Sequence, residues 1–466
     1  MALWHLAPLV LAAATSASSI LPRGDVGFVS LAGESRSHAT PVSPRDEDAA
    51  GAGFLSVPIE HYRYSAPLRK RDANVQLFNI SSVSYLVQLS IGTPGQNVKV
   101  AIDTGSDELW VDPKCTGGGL EKEQIKECQA DGLYLPEKSS TANVTNQGTD
   151  IPYGKGEVII NYVLDNIGLP GSSATLQNVQ FGVAKNSTEL SEGIMGLGFG
   201  QGTNLNYNNF IDQLALQKVT NSRAFSVALG SVDANNGGVI IFGGVDTKKF
   251  SGNLVSNKIL PPQARDVFRY WVQMTAVSLE TNSTSKTYSG GNLPVVLDSG
   301  SSLSYLPASM VRSMAADFGG QKDPESGLYL VSCDLTSTSG SIDFAFGAVT
   351  IKVPFNEFIW EAAPNTCVLG VSPVDPTSGL TALLGDTFMR SAFVVFDQAQ
   401  NTISMAQYVN CGQAEQSIPA TGISGLQGQC AGTSSSPNKN AAERRGYLGS
   451  SLAVAVAVAA LVHICF

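Results

Sequence analysis

The chain has 466 residues and carries 39 acidic against 29 basic side chains, a formal net charge of −10 at neutral pH. A surface this acidic repels phosphate backbones, which excludes nucleic acid as a partner. Its length exceeds what one ordinary core supports and points to two lobes.

Met1 to Ala17, "MALWHLAPLVLAAATSA", is an apolar stretch of signal-peptide length ending in small residues, although it lacks a positive first region. It is read as a signal peptide, the other reading being an ordinary buried helix. Residues 18–71 are polar, rich in Pro and Ser, and close on Leu68-Arg69-Lys70-Arg71. Such a basic cluster suits a kexin-like protease, so 18–71 is expected to be a propeptide cut after Arg71. The alternative is a solvated arm that stays attached.

From residue 72 onward, short β-branched and aromatic runs alternate with Gly, Asn, Ser and Pro: "SYLVQLSIG", "NVKVAID", "GEVIINYVL", "AFSVALG", "GGVIIFGG" and "AFVVFD". Helical candidates are few, chiefly Asn209–Leu216 and Ala308–Asp317, so the fold class is mostly β. Cys465 lies in the C-terminal apolar tail, and the six other cysteines formally allow 15 connectivities. Proximity along the chain favours Cys115–Cys128, Cys333–Cys367 and Cys411–Cys430. An oxidising, secretory route is implied. Sequons at Asn79, Asn143, Asn186 and Asn282 agree with it as glycosylation sites.

After Cys411 the chain is rich in Ser, Gly and Gln, without apolar periodicity, and residues 412–440 are expected to form a stalk. Leu452–Phe466 is an apolar tail of 15 residues, short for a spanning helix. It follows small residues (Asn440-Ala441-Ala442) and a polar spacer, the order of a GPI-attachment signal removed as 441–466. Asn440 is the preferred attachment residue, Ser434–Ser436 are rivals, and a tail-anchoring helix is the other reading. Residues 72–440 keep 20 basic against 32 acidic residues. Repulsion among them fades as carboxylates protonate, which suits an acidic compartment.

One phrase occurs twice. "VAIDTGSDELWV" at 100–111 contains Asp103-Thr104-Gly105, and "VVLDSGSSLSYLP" at 295–307 contains Asp298-Ser299-Gly300. Each Asp follows apolar strand residues, and each has an apolar-apolar-Gly partner downstream: Ile194-Met195-Gly196 and Leu383-Leu384-Gly385. The repeat implies two homologous lobes, expected at 72–255 and 256–411, each bringing one carboxylate to a shared floor. Gly196 and Gly385 are expected to support that floor without taking part in chemistry. Glycine in each turn lets backbone N–H groups approach the carboxylate. Two facing carboxylates cannot both ionise comfortably, so they share a proton in acid. The ionised one can then take a proton from water while the protonated one polarises a carbonyl.

With these motifs, the chain resembles the pepsin-like aspartic proteases, above all the fungal yapsin and candidapepsin group, over nearly all of 80–410. The likeness also rests on Leu109-Trp110, "IPYGKG" at 151–156, "IIFGGVDTKKFSGNL" at 240–254, "YWVQM" at 270–274, "ALLGDTFMRSAFVVFD" at 382–397 and the long insertion between Cys115 and Cys128. The resemblance implies a bilobal, mostly-β fold with a cleft between two β-rich lobes, peptide hydrolysis at acid pH, and no cofactor or metal. It makes Asp103 and Asp298 the catalytic dyad. Thr104, Gly105, Ser106, Ser299, Gly300 and Ser301 support that dyad, Ser106 and Ser301 as hydroxyl donors. It makes Tyr153, Gly154, Lys155 and Gly156 a substrate-binding flap, with Trp110 as partner of the tyrosine. Two positions depart from the pattern: Ser299 replaces the commoner Thr, and Lys155 stands where fungal relatives usually carry Asp. A cation there is expected to disfavour Lys or Arg before the scissile bond.

The four histidines, His5, His38, His61 and His463, all lie outside 72–440. A mature body without histidine has neither a Ser-His or Cys-His nucleophile nor an H-E-x-x-H zinc site. The expected enzyme is a monomeric endopeptidase acting on proteins or peptides, held by a GPI anchor at the outer face of the plasma membrane or the cell wall. Two alternatives are a pepsin-like binding or cell-wall protein that has lost activity, and a surface adhesin. The first is opposed by the presence of both Asp residues and both turn glycines.

Overall fold

The computed structural model describes residues 53–63, 83–112, 114–115, 122–154, 156–169, 172–188, 190, 192–232, 238–263, 267–324, 326–374 and 382–431. The expected signal peptide, the processing site at Arg71, Asn79, Lys155, Asn440 and the apolar tail lie outside them.

In the first half, the strand Gln96–Asp103 pairs antiparallel with Val83–Ile91, and Val98, Val100, Ala101 and Ile102 are buried. β-branched side chains suit a pleated, buried surface, and the run ends where Asp-Thr-Gly breaks it. Its other edge pairs in parallel with Gly193–Gly196, so that Asp103 lies opposite Gly196. The chain returns as Leu109–Val111, antiparallel to Gly193–Gly196 and parallel to Thr175–Thr188.

The second half repeats this plan. Leu293–Leu297 pairs in parallel with Leu383–Leu384. Ser304–Pro307 returns antiparallel to Leu383–Leu384 and parallel to Val371–Val374. The repeated phrase is therefore a repeated topology, with a carboxylate at the end of the corresponding strand in each half.

A six-stranded antiparallel sheet binds the halves together, in the order Leu55–Pro58, Val239–Phe242, Ala224–Ala228, Ala392–Asp397, Thr402–Tyr408 and Phe250–Lys258. Its strand Ala392–Asp397 is buried at every residue, as expected of a sheet covered on both faces. Phe225, Phe242, Phe396 and Tyr270 stack over it with centroids 4.5–6.2 Å apart. The boundary expected between 255 and 256 falls inside Phe250–Lys258, a strand of this shared sheet.

Two segments differ from their expected character. Within the polar 18–71, Leu55–Pro58 and Glu60–Arg63 are strands paired to Val239–Phe242 and Val83–Ile91. Leu55, Val57 and Ile59 are buried, an alternation of period 2 that average composition conceals. The beginning of the expected stalk is likewise part of the body. Glu415–Ser417 pairs with Gly244–Asp246, and Ile418 and Ile423 are buried. Spaced five apart, those isoleucines show no regular period, yet both join the hydrophobic cluster that contains Phe250 and Phe393. Any free stalk is thereby limited to residues beyond 431.

The helices Phe210–Leu216 and Ala308–Asp317 match the two candidates, the first capped reciprocally by Asn209 and Asp212. A third, Lys122–Ala130, is polar and lies in the loop closed by Cys115–Cys128. The other cystines are Cys333–Cys367 and Cys411–Cys430.

Candidate active site

Asp103 and Asp298 end their strands with side chains turned toward each other. A Cβ added to Gly105 would lie 2.6 Å from Asp298 Oδ1, and one added to Gly300 would lie 2.4 Å from Asp103 Oδ1. Only a residue without a side chain allows each carboxylate to sit against the opposite turn.

Crossed hydrogen bonds lock the two turns together. Thr104 Oγ1 donates to the Leu297 carbonyl (2.8 Å) and accepts from Ser299 N–H (2.9 Å). Ser299 Oγ donates to the Ile102 carbonyl (3.1 Å) and accepts from Thr104 N–H (3.1 Å). Serine thus makes the same pair of bonds as Thr104, so the change from the commoner Thr leaves the arrangement symmetric.

Each carboxylate receives matching donors. Gly105 N–H donates to Asp103 Oδ1 (2.8 Å) and Ser106 Oγ to Oδ2 (2.5 Å). Gly300 N–H donates to Asp298 Oδ1 (2.9 Å) and Ser301 Oγ to Oδ2 (2.8 Å). Burial and, next, the charge of Asp298 push the Asp103 carboxyl well above the usual range, against the Ser106 and Gly105 donors that favour its ionised form. Asp103 therefore holds a proton more readily than an ordinary carboxyl.

Gly196 and Gly385 sit under these turns. Leu197 N–H bonds the Asp103 carbonyl (2.8 Å), and Asp298 N–H bonds the Leu384 carbonyl (3.0 Å). A Cβ on Gly385 would lie 2.3 Å from the Ser301 carbonyl, too close for any side chain.

The strands Asn143–Pro152 and Glu157–Gly168 form a long hairpin whose tip carries Tyr153, Gly154 and Gly156. Tyr153 N–H bonds the Gly156 carbonyl (3.0 Å), closing the tip, and Gly156 holds φ +81°. Gly154 is exposed while Tyr153 is buried. Trp110 Nε1–H donates to the Tyr153 hydroxyl (2.7 Å), tying the hairpin to the strand that follows the first Asp turn. Asn143, Asn186 and Asn282 are exposed, each accessible to a glycan.

Three features were not evident from sequence. Asp386, at the start of the helix Asp386–Met389, is buried, and its N–H bonds the Ser301 carbonyl (2.8 Å). Burial raises its carboxyl well above the ordinary range, with Arg390 opposing and Asp298 adding. Arg390 pairs with Glu357 in the interior, Nε to Oε2 at 2.6 Å. Arg269 donates to the Gly105 carbonyl across 164 positions of sequence. The only signal for Asp386 was its place in "LLGDTF"; Arg269 had none.

Residues 84–408 match the family model described as eukaryotic aspartyl protease. The chain is 34% identical over 373 residues to a probable aspartic-type endopeptidase, opsB, of Aspergillus fumigatus, covering 76% of this chain and 75% of that protein. It is 35% identical over 329 residues to secreted aspartic protease 8 of Candida albicans, covering 70% and 76%. Candidapepsin-3 of the same species matches at 31% over 408 residues, covering 82% and 95%. An aspartic proteinase from Irpex lacteus shares the fold, with TM-score 0.57 at 19% identity over 76% of this chain and 97% of that one. By sequence and by fold, the chain belongs to the pepsin-like aspartic endopeptidases.

Proposed function

We propose that Asp103 and Asp298 are the catalytic dyad of an endopeptidase working at acid pH on a cell surface. One observation carries the reading: two buried carboxylates face each other, each with its own hydroxyl and amide donors, in turns locked by reciprocal hydrogen bonds. In acid the pair holds one proton. The ionised carboxylate takes a proton from a water, which attacks the scissile carbonyl, while the other donates to the carbonyl oxygen. The tetrahedral diol collapses as the carboxyl that took the water's proton passes it to the leaving nitrogen and the other, now ionised, takes one from a diol hydroxyl, and no acyl-enzyme forms. Tyr153, held by Trp110, closes over the substrate. Lys155, which follows Gly154 in the sequence, disfavours Lys or Arg before the scissile bond.

Asp103→Asn and Asp298→Asn should each lower kcat/KM on a peptide by a factor on the order of 10³ or more while leaving secretion intact. Activity near wild type in either variant contradicts the assignment.

The ends of the chain complete the proposal. A signal peptide directs secretion, a kexin-like cut after Arg71 produces the mature monomer, and a GPI anchor near Asn440 holds it at the plasma membrane or cell wall. Glycans are carried on Asn79, Asn143, Asn186 and Asn282. The secreted Candida relatives support the secretory route.

A further inference from the structure

Three strands carry a row of exposed side chains across the solvent face of the long hairpin and its neighbour. Asp150 lies opposite Ile159, and Ile159 lies opposite Asn186 of the strand Thr175–Thr188. Directly opposed residues point to the same face, and all three are exposed. The adjoining row, Ile151, Val158 and Ser187, is buried on the other face, as alternation along a strand requires. Ile159 is 37% exposed, one of four large apolar side chains left exposed among the described residues. A second of the four, Val144, is on the same hairpin and is the middle residue of the sequon at Asn143. Both exposed apolar side chains of the hairpin thus adjoin a sequon.

Asn186 has a setting of its own among the sequons. Asn143 opens an edge strand, and Asn282 lies in the turn between Ala276–Glu280 and Ser285–Thr287. Asn186 is held within a strand whose Ala184 and Ser187 are buried, with Ser187 Oγ donating to Asp112 Oδ2 (3.4 Å). A glycan there leaves the surface from a fixed point and in a fixed direction. Opposed Cβ atoms stand about 5 Å apart, so the first sugar on Asn186 lies over Ile159. N-acetylglucosamine has an apolar ring face and a methyl group, with hydroxyls that stay in water, and suits one aliphatic side chain between Asp150 and Asn186. A protein partner needs far more, about 800 Å² on each side.

We propose that the N-linked glycan of Asn186 docks on Ile159 and straps the hairpin to the body of the first half. The strand that bears the glycan pairs on its other side with Leu109–Val111, just after the first Asp turn. The strap therefore joins the hairpin to the sheet that carries Asp103. Peeling Glu157–Ile160 away from Asn186–Thr188 would uncover Ile159 again and return its apolar surface to water, which disfavours opening. This role rests on the endopeptidase reading, in which the hairpin lifts to admit substrate, and on the secretory route, which supplies the glycan.

The test compares amide hydrogen exchange of residues 149–161 in the secreted protein and its variants, after mass spectrometry has measured sugar occupancy at Asn186. Asn186→Gln and Thr188→Ala, which both remove the glycan, should each speed that exchange about fivefold. Ile159→Thr, which keeps the glycan and a β-branched side chain, should speed it as much, and combining it with Thr188→Ala should add nothing. Trimming the native glycan enzymatically to one N-acetylglucosamine should leave exchange slow, because the first sugar makes the contact. If the glycan-free variants are not secreted, enzymatic removal of the whole glycan from the native protein takes their place. An unoccupied Asn186, or glycan-free exchange within about twofold of native, overturns the proposal. So does a native dimer that Ile159→Thr dissociates, which would put a second copy on this face. Exchange does not depend on catalysis, so a failure of the endopeptidase reading shows separately, as a native protein that cuts no peptide.

Discussion

A single hydroxyl illustrates how the site sets its own working pH. Ser106 Oγ donates to Asp103 Oδ2 at 2.5 Å and stabilises the ionised carboxylate, while burial and the charge of Asp298 favour the protonated one. Ser106→Ala removes one of the forces that hold the raised Asp103 carboxyl down. A hydrogen bond to a charged group contributes about 1.5–3 kcal/mol, and 1.4 kcal/mol is about one pKa unit. The alkaline limb of kcat/KM, where the shared proton leaves, should therefore move up by about one unit, with a lower maximum. A pH–rate profile checks this, and an unshifted limb would mean the hydroxyl does not act on the ionisation. The limb belongs to the coupled pair, not to one Asp. These residues were legible because the chemistry needs a short, contiguous motif. Arg269 was not, since its partner lies 164 positions away and nothing in "VFRYW" marks a contact with a turn.

Among the elements, those with strict local periods were readable and those stabilised by distant partners were not. Ala308–Asp317 buries Met310, Val311, Met314 and Ala315 on one helical face, a pattern visible in sequence. Leu55–Pro58 was hidden inside a polar segment, and Glu415–Ser417 has no apolar face of its own. The latter is held by pairing with Gly244–Asp246, by Ile418 and Ile423 in a pocket of the body, and by Cys411–Cys430. That disulfide closes a loop with a sequence separation of 19, which in the chain-entropy account contributes about 3 kcal/mol. Replacing both Cys411 and Cys430 by Ser should lower Tm by several degrees. Residues 412–431 should also become susceptible to limited proteolysis before the body unfolds. Equal resistance in the double variant would show that strand pairing and the two isoleucines suffice.

At the scale of the whole molecule, buried acids tie stability to pH. Asp103 and Asp386 have carboxyls raised mainly by burial, as do Asp343 and Asp397. A raised carboxyl binds its proton more tightly in the folded chain, so its contribution is fully present below the unfolded value of about 3.9. It is lost as the pH rises through the folded value. Asp165 runs the other way: burial raises it, but hydrogen bonds from Ser139, Thr141 and Tyr134 outweigh this. Its contribution is present above about pH 3.9 and lost in stronger acid. The balance predicts greatest thermal stability near pH 4 to 5 and a falling Tm toward pH 7. Asp386→Asn should shrink the difference between pH 4 and pH 7 by a few degrees, and a wild-type Tm that rises toward neutrality would contradict the account. The same acid preference underlies the central claim, that the two facing carboxylates hydrolyse peptides with one shared proton. Its most direct test is digestion of a denatured protein by the purified enzyme at pH 4 and pH 7, with and without a statine-type mimic of the tetrahedral diol. The account predicts cleavage at pH 4, little at pH 7, and loss of cleavage with the mimic. Cleavage that is strongest at pH 7, or indifferent to the mimic, would contradict it.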